Sequence, residues 1–299
     1  MDVMIDRKKL DRAGLAHLVV VYIVWGSTYL AIRVAVREGA GFPPFTMALM
    51  RVLVASAILL AWARLRGERV GISRGELAIL AGTGAMLWVG GNGLVNWAEM
   101  RVSSGLAALL VAAMPIWGEC IASVADRRFP GWRITGSVLV GFLGVGVLSW
   151  PVLRHGTTAD VLSVTALLFA PLSWAAGSIW LQRRKLDLSN RSLSGWQHLM
   201  GAVGLLVFAL LRREPLPAPT REAWMAWGYL VVFGSVISFT SYMTTLRLLP
   251  YRIVMTYAYV NPVIAVCLGW LILGETISWW TITGAALVIA GVMGIFNNR

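Results

Sequence analysis

The sequence predicts an all-α polytopic membrane protein with ten transmembrane helices in two inverted five-helix repeats. Three observations carry this expectation. Of 299 residues, 58% are hydrophobic and only 13% charged, well under the usual soluble share of about 25%. Ten apolar runs of about 20 residues, the length that crosses a hydrocarbon core, fill nearly the whole chain. The pattern Trp-x-Ile-Thr-Gly also occurs twice, at Trp132 to Gly136 and at Trp280 to Gly284. Each copy follows a Pro-x-x-x-x-Cys, Pro115 with Cys120 and Pro262 with Cys267. This points to a diverged duplicate of half the chain. With five spans per half, the second copy must enter from the opposite face, which inverts the symmetry.

The spans are expected near 14 to 36, 44 to 65, 76 to 98, 104 to 125 and 133 to 152 in a first repeat, 1 to 153. The second repeat, 154 to 299, holds 160 to 182, 192 to 212, 222 to 246, 250 to 272 and 279 to 296. The connectors are too short for a soluble catalytic domain. The net charge of +12 reads as a topology signal: with the N-terminus inside, 18 Lys and Arg fall on the inner side and 7 on the outer, Arg51 lying within a span. This positive-inside bias predicts both termini in the cytoplasm. The first span follows Arg7, Lys8, Lys9 and Arg12 but exceeds the about 7 to 15 residues of a cleaved signal core, so it is expected to remain as a helix. The two cysteines sit about 7.5 Å beyond their prolines along oppositely directed helices, too far apart in depth for a disulfide.

Taken in order, the first span places Trp25, Thr28 and Tyr29 on one face, and the sixth answers with Trp174 and Ser178. Arg51 is an intramembrane charge in the second. The third carries Asn92, Asn96 and Glu99 at i, i+4 and i+7, one stripe of a helix. Such a stripe avoids lipid; it lines a cavity or, alternatively, fastens helices by hydrogen bonds. The fourth supplies Met114, Pro115, Trp117 and Glu119, the last a candidate for proton coupling or else a residue reaching the cytoplasmic face. The seventh holds His198. The eighth aligns Ser238, Ser241, Tyr242 and Thr245, hydroxyls that also bond to their own helix. The ninth brings Tyr257, Asn261 and Pro262. Prolines 115, 171 and 262 interrupt backbone pairing, which a membrane tolerates where the freed carbonyl is buried or lines a wet cavity; simple kinks are the other reading. Glycines inside spans, such as Gly90, Gly91, Gly141, Gly144 and Gly291, serve close packing or hinging. Trp132, Trp150, Trp224, Trp227, Trp279 and Trp280 near span ends read as interfacial residues.

An aromatic-lined cavity with hydroxyls and amides suits a small amphipathic solute. No catalytic signature is present, and His17, His155 and His198 lie far apart, so no catalytic residue, metal or cofactor is expected. The expected partners are a small-molecule solute and the lipid bilayer, without nucleic acid, the chain being a monomer or weak homodimer. A polytopic membrane enzyme or scaffold remains as an alternative. So does a nucleotide-sugar or phosphorylated-sugar antiporter, although a dianionic phosphate would want more deep cations than Arg51.

Trp25-Gly26-Ser27-Thr28, Arg51, Gly91-Asn92-Gly93, Ala98-Glu99, Ser104-Gly105, Pro115, Asn261-Pro262 and Leu273-Gly274-Glu275 together resemble the drug/metabolite transporter superfamily, specifically its EamA-type exporters. The resemblance spans nearly the whole chain. It implies a ten-helix inverted-repeat bundle with one central cavity, alternating access in a bacterial inner membrane, and export of small metabolites, with amino acids, aromatic ones among them, as the leading class. The chain departs from the pattern at Arg127, which stands where the second half has Glu275, so no transport role passes to Glu275 by analogy. The expected substrate-binding set is Trp25, Thr28, Tyr29, Asn92, Asn96, Glu99, Met114, Pro115, Trp117, Trp174, Ser178, Tyr242, Tyr257, Asn261 and Pro262.

Overall fold

In a computed structural model, which describes residues 11–297 except 126, 128, 130 and 185, the apolar runs form ten helical rods. Arg7, Lys8, Lys9, Arg128, Lys185 and Arg299, which entered the charge count, lie outside the described residues. The rods are α1 (Arg12–Val36), α2 (Pro44–Leu65), α3 (Arg74–Ala98), α4 (Ser104–Ala125), α5 (Trp132–His155), α6 (Thr158–Gln182), α7 (Asn190–Leu211), α8 (Arg221–Leu248), α9 (Tyr251–Val254 and Tyr257–Leu273) and α10 (Trp279–Asn297). Eight are long and apolar enough to cross a membrane, and α9 and α10 contribute shorter apolar helices, Val260–Leu273 and Trp279–Gly294. The described residues contain no strand. Ile23, Leu139, Leu206 and Leu271 are exposed on the rods' outer faces, as expected where lipid rather than water is the surrounding solvent. Cys120 and Cys267 are free thiols.

Helix starts are specified locally. Ser73 with Glu76 and Thr157 with Asp160 form capping boxes at α3 and α6, satisfying amide groups that a helix's first turn leaves unpaired. Three other starts are held by carboxylates from the opposite half. Glu214, after α7, accepts from the Phe45 N–H at 3.0 Å and from the Thr46 N–H and hydroxyl, both at 2.7 Å. Glu68, after α2, accepts from the Ser189 hydroxyl at 2.5 Å and pairs with Arg191 at the start of α7. Glu275, after α9, accepts from the Ser104 N–H at 2.8 Å, its hydroxyl at 2.9 Å and the Gly105 N–H at 3.1 Å. A negative charge at the positive end of a helix is favourable.

The packing partners recur between halves. α1 lies against α8 and α9, while α6 lies against α3 and α4; α2 packs on α7, and α5 on α10. Glycine permits the last contact: a side chain at Gly144 would meet the Val288 nitrogen at 2.6 Å, and one at Gly291 the Gly141 Cα at 2.6 Å.

Irregular backbone occurs where the prolines suggest it and also where they do not. α4 breaks at Ala112 and Ala113, just ahead of Pro115, which sits in the first turn of the resumed helix rather than in its interior. α9 breaks at Met255 and Thr256, six residues ahead of Pro262, which its second helix simply contains. The largest departures are π-helical stretches at Ala85–Gly93 in α3 and Leu230–Ser238 in α8, where no proline occurs.

Candidate functional site

The π-helical turns of α3 and α8 carry carbonyls with unusual partners. The Ser173 hydroxyl of α6 donates to the Met86 carbonyl at 2.8 Å, and the Trp25 indole of α1 donates to the Gly234 carbonyl at 3.3 Å. π turns are uncommon and cluster at functional sites. Here each is served by the helix packed against it.

Beside the α3 turn lies a partly open cavity of about 60 Å³, room for a handful of waters. Eight residues of the expected set line it: Trp25, Thr28 and Tyr29 from α1, Asn92 from α3, Met114 from α4, Trp174 from α6, and Tyr257 and Asn261 from α9. The rings support one another. Trp25 meets Trp174 at 5.5 Å and Tyr257 at 5.4 Å, both edge to face, a favoured aromatic geometry. The Tyr257 hydroxyl reaches the Met114 sulfur at 2.8 Å, joining α9 to α4 just below the α4 break. Asn261, with its amide nitrogen turned to the carbonyls beside it, donates to Tyr22 at 3.1 Å and Tyr257 at 3.3 Å, tying α1 to α9.

The other seven members of that set stand outside the lining. Tyr242 and Ser178 form a supporting layer: the Tyr242 hydroxyl donates to Ser178 at 2.8 Å and accepts from the Trp174 indole at 3.4 Å. Asn96 is buried one turn beyond Asn92 and donates to its side-chain oxygen at 3.2 Å. Glu99 is fully buried at the end of α3, its carboxyl oxygens without a hydrogen-bond partner, while its backbone carbonyl accepts from Arg33 at 2.5 Å. Trp117 packs on Phe142 of α5 at 5.0 Å. Pro115 and Pro262 act on the backbone. Glu119, the proton-coupling candidate, is buried in α4 away from the lining.

A family model described as "EamA-like transporter family" matches the chain twice, over residues 12–150 and 161–297. The chain belongs to the EamA-like transporter family. The uncharacterized inner membrane transporter YedA of Escherichia coli is 35% identical over 263 residues, 87% of this chain and 83% of its own. A "Probable terminal-alkyne amino-acid exporter" of Streptantibioticus cattleyicolor is 28% identical, over 97% of this chain and 95% of its own. A solved crystal structure with 18% identity shares the fold at a TM-score of 0.66, over 94% of this chain and 95% of its own.

Several lining residues of this EamA-like transporter escaped the expected set: Arg51, Trp88, Gly91, Ile32, Val95, Val111 and Ala170. Arg51 was legible as an intramembrane charge, but its neighbours were not. Its Nε donates to Ser235 at 2.7 Å, its Nη1 approaches the Asn92 side-chain oxygen at 3.4 Å, and its guanidinium lies 5.4 Å from the Trp88 ring centre. Trp88 also meets the buried His198 ring at 4.4 Å. A deep tryptophan flanked by an arginine and a histidine from two other helices was the missing signal, and only the folded arrangement displays it.

Proposed function

We propose that this EamA-like transporter exports amino acids, aromatic ones among them, or similar small neutral amphipathic metabolites, by alternating access across a bacterial inner membrane. In this reading the ten rods are ten spans in two inverted five-helix repeats, 1–153 and 154–299, with both termini cytoplasmic and no catalytic chemistry. One observation carries it: a cavity where α1, α2, α3, α4, α6 and α9 converge, walled by aromatic rings packed edge to face with two asparagines among them. Its present volume is far below the about 300 to 1,000 Å³ of small-molecule pockets. At that size it has no room for an amino acid, so in this reading a solute enters only when the walls part.

Three further features support the reading. The packing of α1 on α8 and α9 matches that of α6 on α3 and α4, as a duplicated scaffold requires. The breaks in α4 and α9 and the π turns in α3 and α8 give the walls places to bend, a feature of transporter helices at the midplane. The amino-acid class named for the Streptantibioticus relative agrees with a site offering aromatic surface and a few polar groups. A counterflow screen of amino acids in proteoliposomes, with and without a pH gradient, tests the function directly. Exchange of at least one aromatic amino acid is expected, reduced several-fold in Asn92→Ala and Asn261→Ala at unchanged yield of folded protein. Absence of exchange for every amino acid would refute the substrate class.

A further inference from the structure

Arg51 is only 2% exposed, eight residues into α2, and borders the cavity. A guanidinium in that position normally faces a carboxylate, because an uncompensated buried charge is costly. Among the described residues it has none. Its neighbours are the Ser235 hydroxyl of α8, the side-chain oxygen of Asn92 of α3 and the Trp88 ring, against which His198 of α7 packs. Neither a hydroxyl nor an amide carries the charge that would balance it.

The geometry leaves part of the group unused. Guanidinium has five N–H donors in a planar fork, and two are engaged, at Nε and Nη1. Nη2 faces Gly234 in the π-helical turn of α8, so closely that a β-carbon there would lie 3.0 Å from it and 3.1 Å from the Thr28 methyl. Glycine thus keeps the approach to Nη2 open. Asn92 is already committed through its oxygen to both Arg51 and Asn96, which holds the fork in place.

We infer that Arg51 receives the carboxylate of the transported solute, and that the solutes are small monocarboxylates with an apolar or aromatic body seated between Trp25, Trp174 and Tyr257. The inference rests on the transport reading and narrows it. Arg–carboxylate pairs are the strong, directional form of hydrogen bonding, and one guanidinium matches one negative charge. A zwitterionic amino acid, neutral overall, satisfies this pattern, whereas an amine or amide of the same size leaves Arg51 unpaired.

The test uses matched solutes on the purified protein: phenylalanine and 3-phenylpropanoate against phenylalaninamide and 3-phenylpropanamide. Affinity is measured by tryptophan fluorescence in detergent, and exchange by counterflow in proteoliposomes. The acids should bind about 30- to 100-fold more tightly than the amides, as expected for losing a hydrogen bond to a buried charge. Arg51→Gln should abolish that preference while still binding 3-phenylpropanamide, and Arg51→Lys should retain part of it. Equal affinity of acid and amide for the wild-type protein overturns the inference even if neither variant folds, as does an undiminished preference in Arg51→Gln. Preferential binding of the acids without exchange of any of them upholds the carboxylate site and refutes the transport reading; exchange of acid and amide alike does the reverse.

Discussion

Glycine does opposite work in the α5–α10 seam and in the cavity walls. At two seam positions, added side chains would strike backbone: Gly144 faces the Val288 nitrogen and the Gly284 carbonyl at 2.6 and 2.8 Å, and Gly291 faces the Gly141 nitrogen at 2.5 Å. In the walls they would strike side chains: Gly91 faces a Trp174 ring carbon at 2.8 Å, and Gly234 faces Arg51 and Thr28. Backbone cannot yield without moving a whole helix, whereas a ring or guanidinium turns about its own bonds. The seam behaves as a fixed frame and the π-helical walls as the adjustable part. Abundant glycine in a membrane helix therefore does not by itself distinguish a clamp from a hinge; the atom opposite it does.

The sharpest way to break this contrast is substitution on each side of it. Gly291→Leu should separate α5 from α10 and cost at least about 3 kcal/mol, at the upper end of overpacking penalties, seen as loss of monodisperse protein by fluorescence-detected gel filtration. Gly91→Ala should leave the protein folded, with a stability change under about 1 kcal/mol, yet lower exchange several-fold because it displaces the Trp174 ring. If the seam variant stays as stable as the wall variant, the distinction between frame and wall is wrong.

A second effect lies where frame meets wall. Glu275 holds the start of α4, the helix that breaks at Ala112 and then supplies Met114 to the cavity. Its partner position in the first half is Arg127, which has no acceptor to offer the start of α9. Glu275→Ala should lower stability by about 2 kcal/mol, the range for hydrogen bonds to a charged group, read as a fall in unfolding temperature. Glu275→Gln should recover some of it, since its carbonyl still accepts. The same pair on Arg127 should change stability by less than about 0.5 kcal/mol.

These cases show what the sequence made legible. The rods appear within a few residues of their expected ends because twenty-residue apolar runs leave a membrane helix little freedom. Eight lining residues were found because aromatic and amide side chains at i, i+3 and i+4 share a face. Trp88 stands four residues before Asn92 on the same stripe, but only the fold shows that the stripe lines the cavity that far down, and Gly91 has no side chain to mark a face. Ser178 and Tyr242 were placed one layer too far inward, since helical spacing gives a face but not a depth. Glu275 carried no assigned role because its three donors lie 170 residues or more away in sequence.

Asn261 offers a smaller test on the wall side. Its amide bridges Tyr22 of α1 and Tyr257 of α9, and hydrogen bonds of this kind between membrane helices contribute about 1 kcal/mol. Asn261→Leu should cost about that much stability while reducing exchange more strongly than Asn96→Leu, because Asn96 bonds only within α3. Equal loss of exchange in both would mean that the asparagines matter as fasteners rather than as lining.

The smallest effect concerns the frame at the other membrane face, where Glu68 joins α2 to the start of α7. Hydrogen bonding from Arg191, aided by Ser189, holds the Glu68 carboxyl below the usual carboxylate range. A carboxyl whose folded pKa is depressed adds stability that is fully present above its unfolded value, about 4.3, and is lost as pH falls through the folded value. Unfolding temperature measured from pH 7 to pH 3 should therefore be flat above about pH 5 and decline below it, more steeply in the wild type than in Glu68→Gln, which cannot titrate. Because this carboxylate is partly open to solvent, the difference between the two curves should stay within about 1 kcal/mol. Parallel curves would mean that the acid sensitivity arises elsewhere, and would leave Glu68 as a cap whose charge is incidental.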